Sequence, residues 1–295
     1  MMQHSPQAGI LQPLPPQARF LSLSLLPGAH PGDCLRALRD RVDGQKTVVG
    51  LGRVLVTALS EEIDGLRDFP ALSGPGIAVP ATPTALWLWL RGEDRGEIFH
   101  RSRRLLATLA PAFQLDDTRD AFMFDIGRDL TGYEDGTENP VDQEAVDAAI
   151  VSAQDPLLVG SSFVAVQRWR HDFSRFDRLS EEESDLGFGR RRVSNEEIDD
   201  APESAHVKRT AQESFTPDAF VVRRSMPWVE GMHSGLMFIA FGRSLDAYEK
   251  QLRRMLGLDD GIVDATFKFT RPETGAYFWC PAMVNERLDL SPLGL

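Results

Sequence analysis

Apolar and polar residues alternate with a period of two over residues 18–26 (ARFLSLSLL), the spacing that turns one face of a strand towards a core. Residues 32–42 (GDCLRALRDRV) carry their apolar positions three and four apart, which predicts a helix, and residues 48–59 read as a second strand. A Gly- and Pro-rich connection over 64–84 leads into the run ALWLWL at 85–90, read as a buried strand. An amphipathic helix over 94–109 and a strand over 113–126 follow. Strand, helix, strand, strand, helix, strand is the ferredoxin-like order.

The rest of the chain repeats this plan less regularly. Residues 162–169 (SFVAVQRW) alternate as a strand, 172–185 read as a helix, 220–225 and 236–241 (LMFIAF) as strands, and 245–256 as a helix. Two further strands are expected near 265–269 and 275–279. The pattern predicts an α+β chain of two halves: an extended N-terminal arm at 1–17, a first domain at 18–145 and a second at 146–295. The polar stretch at 187–217 is long for a loop inside a compact domain, and such loops are usually disordered or functional.

The composition narrows the classes of partner. With 42% hydrophobic and 26% charged residues the chain has the balance of a soluble globular protein. Its formal charge of -12, from 44 acidic against 32 basic residues, repels phosphate backbones and anionic lipid, so neither nucleic acid nor membrane is an expected partner. Basic clusters at 101–104 and 189–192 read as solvated faces paired with nearby acids. Cys34 and Cys280 lie far apart without a CxxC spacing, which argues against a disulfide framework or a cysteine zinc site and favours a reducing compartment. With no secretory leader pattern and no long apolar span, the expected location is cytoplasmic. Dinucleotide, P-loop and HExxH fingerprints are absent from the sequence.

The segment Gly132-Tyr133-Glu134-Asp135-Gly136-Thr137-Glu138-Asn139-Pro140 combines two glycines around an aspartate with a terminal Asn-Pro. Such a backbone turns sharply while fixing the direction of one carboxylate, and taken alone it suits a capped turn as well as a site. The string resembles the GxxDG signature of the dye-decolorising peroxidases. Three later elements match that family in order: Pro202-Glu203-Ser204-Ala205-His206, Arg223-Arg224-Ser225-Met226-Pro227-Trp228, and Asp264 within Val263-Asp264-Ala265-Thr266-Phe267. Order and separation are similar to the bacterial B-type (P-type) subgroup.

The resemblance implies two ferredoxin-like domains, their antiparallel sheets packed together, with haem b held mainly by the C-terminal half. It makes His206 the iron ligand and Asp264 the acid that accepts a hydrogen bond from its imidazole, raising ligand basicity. Asp135, Arg223 and Ser225 would handle hydrogen peroxide on the opposite face: Asp135 moving a proton, Arg223 stabilising charge on the departing oxygen. Gly136, Thr137, Leu236 and Phe238 would border the cofactor, and Arg209 would either pair with a propionate or make a salt bridge. The implied activity is reduction of hydrogen peroxide through a high-valent iron-oxo intermediate, with one-electron oxidation of phenolic or dye-like aromatic reductants. A haem-processing enzyme, releasing iron or oxidising the porphyrin, and a non-catalytic haem carrier are the alternatives. Relatives suggest a homo-oligomer; residues 288–295 read as a frayed terminus, with a docking peptide for an encapsulin shell as the weaker alternative because the segment departs from such peptides. Tyr133 and Trp228, beside the motifs, are the oxidisable side chains best placed to pass electrons; the other large aromatics read as core.

Overall fold

The computed structural model of the chain describes residues 4–295. Its first half runs β1 (Gln17–Leu25), α1 (Gly32–Arg39), β2 (Thr47–Leu51), α2 (Arg53–Ala58), a small hairpin of β3 (Leu72–Gly74) and β4 (Ile77–Val79), then β5 (Leu86–Gly92), α3 (Arg95–Leu109) and β6 (Phe113–Phe122). The second half has α4 (Asp142–Ala149), β7 (Ser162–His171), α5 (Phe173–Phe176), α6 (Glu181–Phe188) and α7 (His206–Arg209). It continues with β8 (Val222–Arg223), β9 (Met226–Glu230), β10 (His233–Gly242), α8 (Asp246–Met255), β11 (Thr270–Pro272) and β12 (Ala276–Cys280).

The principal strands form one antiparallel sheet in the order β6-β1-β5-β2-β12-β7-β10-β8. Each half therefore contributes its four strands in the same spatial order, fourth, first, third, second, which is the ferredoxin-like arrangement expected from the pattern. The halves meet edge to edge, β2 on β12, through the pair Leu51↔Trp279. At the other end β9, paired to β10, carries Glu230 to the Arg119 guanidinium of β6, and Arg119 also lies over the Trp228 ring at 5.0 Å. The long sheet thus curls so that its halves face one another.

That curl explains why ALWLWL is apolar at every position. Leu86, Leu88 and Leu90 enter the core beneath the helices, while Trp87 and Trp89 enter a second core between the half-sheets. Their rings meet Phe241 of the other half at 6.5 and 6.2 Å. A strand buried on both faces loses the polar alternation of a half-solvated one. The core under the helices is shared, since Leu21, Leu35 and Leu88 belong to the same cluster as Trp169, Tyr248 and Tyr277.

Several expectations are corrected. Residues 48–59 are a strand only to Leu51; the chain then coils into α2, where Leu55 and Val56 are buried and Val54 is exposed. Leu51, Leu55 and Leu59 are four apart, a helical signal that the β-branched valines obscure. Residues 172–185 split into α5 and α6 because Ser180 starts a new helix with a capping box to Glu183. Residues 265–268 form a 3-10 turn capped by Asp264 in place of a strand.

Both ends are integrated as well. The region read as an extended arm contains a 3-10 turn (Ala8–Ile10) and the fully buried Gln7, whose amide donates to Val49 O and Pro281 O and accepts from Val49 N–H, spanning the junction of the halves; residues 1–3 of that arm lie outside the described residues. Residues 288–295 are not a frayed terminus: Leu288, Leu290 and Leu293 are each about 98% buried, in the core beneath α1. Among the described residues no helix is long and apolar enough to cross a membrane.

Candidate active site

The signature loop lies between β6 and α4, and its two glycines set its path. Gly132 (φ +90°) and Gly136 (φ +83°) occupy the left-handed region, and a Cβ on Gly136 would lie 2.6 Å from Asn139 Nδ2. Asn139 then clamps the loop to β8: its Nδ2 donates to Arg223 O at 3.0 Å, and its Oδ1 accepts from Arg223 N–H at 2.8 Å. This paired contact brings Asp135 beside Arg223, with Oδ1 3.5 Å from Nη1. The two groups face each other at ion-pair distance. Arg223 Nε is buried without a partner.

His206 opens α7 and is held from behind. Its Nδ1 lies 2.7 Å from Asp264 Oδ2, and the other carboxylate oxygen accepts from Thr266 N–H at 2.9 Å and Thr266 Oγ1 at 2.6 Å. Asp264 is fully enclosed, and the backbone bond from Ala265 N–H to Ser204 O at 2.8 Å ties the two segments together. A carboxylate so occupied accepts the Nδ1 proton, which leaves Nε2 as the free lone pair. Asp135, Arg223 and His206 line one cavity of about 1480 Å³, including its open mouth, with Thr137, Leu236 and Phe238 on its walls.

Three residues expected at the site lie off the cavity. Gly136 shapes the loop and does not line the cavity. Ser225 is buried off the cavity, its hydroxyl accepting from Ile239 N–H at 3.4 Å; the strand breaks between Arg223 and Met226, so alternation does not carry Ser225 to the face of Arg223. Arg209 makes the salt bridge, the second of its two readings. Its guanidinium is 4% exposed and committed to both Asp260 oxygens, at 2.8 and 2.7 Å, and to Arg254 O at 2.7 Å, so it buttresses α7 against the end of α8 and is not free for a propionate.

Pattern reading passed over a second histidine–carboxylate pair on the same cavity. His171 Nε2 lies 2.9 Å from Asp129 Oδ1, His171 Nδ1 lies 2.8 Å from Thr270 Oγ1, and Asp129 Oδ2 accepts from Thr131 N–H and Oγ1. The signal was present as a repeated Asp-x-Thr, at 129–131 and at 264–266. Burial pushes the Asp129 carboxyl up, but His171 and Thr131 outweigh it and hold it below the usual carboxylate range. A depressed carboxyl stabilises the fold above its unfolded pKa, and that contribution is lost as pH falls through the lower folded value. Asp129→Ala is expected to cost about 3 kcal/mol at neutral pH, because it leaves a buried partner uncompensated. Urea unfolding at pH 7 and near pH 3 measures this: the difference between wild type and variant should shrink in acid.

An α+β fold with a carboxylate-backed histidine and an Asp–Arg pair in one cavity defines a peroxidase-type oxidoreductase. The family model "Dyp-type peroxidase, C-terminal" matches residues 127–285. A dye-decolorizing peroxidase of Mycobacterium tuberculosis is 31% identical over 95% of this chain and 89% of its own length. Among solved structures, a dye-decolorizing protein from Vibrio cholerae superposes with a TM-score of 0.84 at 26% identity, covering 98% of this chain and 99% of its own. A variant of DypB from Rhodococcus jostii, in complex with heme, superposes with a TM-score of 0.83 at 29% identity over 94% and 96%. The chain belongs to the dye-decolorising peroxidase family and is a peroxidase.

Proposed function

We propose that the cavity binds haem b with His206 Nε2 as the iron ligand, and that Asp135 and Arg223 act on hydrogen peroxide in the same cavity. The observation that carries this reading is the single cavity shared by a carboxylate-backed imidazole and an Asp–Arg ion pair. The residues fit the group. Leu236 and Phe238 offer apolar wall to a macrocycle, while Gln167 Nε2 and Arg223 Nε are buried donors on cavity-lining residues that lack any partner in the protein. Haem, when bound, supplies an iron centre able to take oxidising equivalents from peroxide.

The protein's own groups do the proton and charge handling. Asp135 would take a proton from hydrogen peroxide and return one to the departing oxygen. The permanent charge of Arg223 stabilises that oxygen as it gains negative charge. Asp264 keeps the imidazole in one tautomer and makes it a stronger donor. The reducing substrates would be phenolic or dye-like aromatics, oxidised one electron at a time. A B-type, cytoplasmic, homo-oligomeric enzyme is the finer reading.

Adding haemin to the purified protein, then peroxide and a phenol, tests this directly. The expected result is a Soret band at one haem per chain that shifts with peroxide and returns when the phenol is consumed. Released iron or altered porphyrin would favour haem processing; a Soret band indifferent to peroxide would favour a carrier.

A further inference from the structure

The element Arg223-Arg224-Ser225 carries two arginines in succession, and only Arg223 lines the cavity. Arg224 reaches instead to the N-terminal segment. Its Nε donates to Ile10 O at 3.0 Å, its Nη2 to Leu11 O at 2.8 Å, and its Nη1 turns back to Arg223 O at 3.1 Å. Arg91, in β5, takes the next two residues of the same segment: its guanidinium donates to Gln12 Oε1 and Pro13 O, and also to Gln45 O. Two arginines, one from each half of the chain, thus hold residues 10–13 as a strap. Among the described residues, every hydrogen-bond partner of these two guanidiniums is an oxygen of an uncharged group. Burial pushes both down to about 10, and the charge of Arg224 adds to the effect on Arg91. Buried cations without a counter-charge cost stability that apolar side chains would not.

We propose that Arg224 is a positioning residue for the reaction with peroxide: anchored on the N-terminal strap, it fixes the backbone from which Arg223 reaches into the cavity. The inference rests on the peroxide role proposed for Arg223. What the arrangement supplies is position where the sheet supplies little. β8 has two residues and lies at the edge of the sheet, paired to β10 through Phe241↔Val222 and Ala240↔Arg223, so Arg223 is its terminal residue. The ends of short edge elements open readily. Two tethers oppose that opening. Asn139 of the signature loop holds both the N–H and the C=O of Arg223, and Arg224 holds the same C=O from the side of the strap. An arginine suits the task because its planar fork presents three nitrogens in fixed directions, one for each carbonyl, where a lysine has a single ammonium. The strap becomes part of the site's scaffold although none of residues 4–13 lines the cavity.

The test uses haem-loaded wild type, Arg224→Met, Arg224→Lys, Arg91→Met and Arg223→Leu. Arg91→Met frees the neighbouring stretch of the strap without touching Arg223, and so reports what a looser strap does by itself. In stopped flow, Arg224→Met should react with peroxide about 10-fold more slowly or worse, since misplacing a group by about 1 Å can cost about 100-fold. Its later reaction with a phenol should keep the wild-type rate. Fluoride titrated into the ferric protein gives a readout without turnover: the Arg223 charge steadies a small anion, and the affinity should fall about 10-fold, the scale of one hydrogen bond to a charged group. Arg224→Lys should lie between wild type and Arg224→Met in both measurements, and Arg91→Met should match wild type. Wild-type values in Arg224→Met, equal slowing of its peroxide and phenol steps, or equal losses in Arg224→Met and Arg91→Met would overturn the inference. If Arg224→Met does not fold, Arg224→Lys decides, and wild-type values in both measurements overturn it. Arg223→Leu separates the inference from the reading beneath it. A wild-type rate there removes Arg223 from the reaction and the inference with it, whereas a slow Arg223→Leu beside a wild-type Arg224→Met overturns the inference alone.

Discussion

Replacing His206 with alanine is expected to leave a folded protein that no longer retains haem. The loss should exceed the ~10–100-fold in affinity that removing an outer partner of a metal ligand costs, because the ligand itself is gone. Asp264→Asn, which keeps the ligand but weakens its support, should fall within that range. The fold should survive, since the His206 side chain is 27% exposed at the cavity and belongs to neither main core. Titration with haemin followed at the Soret band gives the affinities, and circular dichroism checks the fold. A normal Soret band at full stoichiometry in His206→Ala would remove His206 as the ligand.

The second large effect is expected for Arg223→Leu, which should slow the reaction with peroxide by about 100-fold or more, the usual loss when a group aimed at developing charge is removed. The substitution is a clean one because Asn139 grips the backbone of Arg223 and not its side chain, so the signature loop and Asp135 should stay in place. Stopped-flow spectra of haem-loaded protein mixed with peroxide measure the rate, and Asp135→Asn measured alongside apportions the work between the two residues. A rate equal to wild type would take Arg223 out of peroxide activation.

Where one residue's neighbours in sequence are also its neighbours in space, the pattern was readable. The alternation at 18–26 and the continuous run at 85–90 became β1 and β5 because the pleat alone decides which face each side chain takes. The site motifs were legible for a similar reason: glycines and Asn-Pro write a turn locally, and the turn carries Asp135. What failed was contact between distant segments. Nothing near Arg209 announces that Asp260 will claim its guanidinium, and nothing near His171 announces Asp129. The edge join of β2 to β12 likewise rests on Leu51 meeting Trp279, which no local period encodes. Ser225 failed at the boundary itself, since two strands separated by a two-residue break do not share an alternation.

The packing of residues 288–293 beneath α1 bears on how the chain is made. Leu35 and Leu38 share a core with Leu288, Leu290 and Leu293, and a side chain added at Gly32 would touch Leu295. The amide of Gln7 is satisfied jointly by Val49 and Pro281. The early helix therefore leaves the ribosome with part of its apolar stripe uncovered, and at roughly 5–20 residues per second it waits on the order of tens of seconds for the segment that completes its cover. During that interval the nascent first half is a natural client for chaperones that shield hydrophobic surface, and it is the stage at which overproduction is most prone to give aggregates.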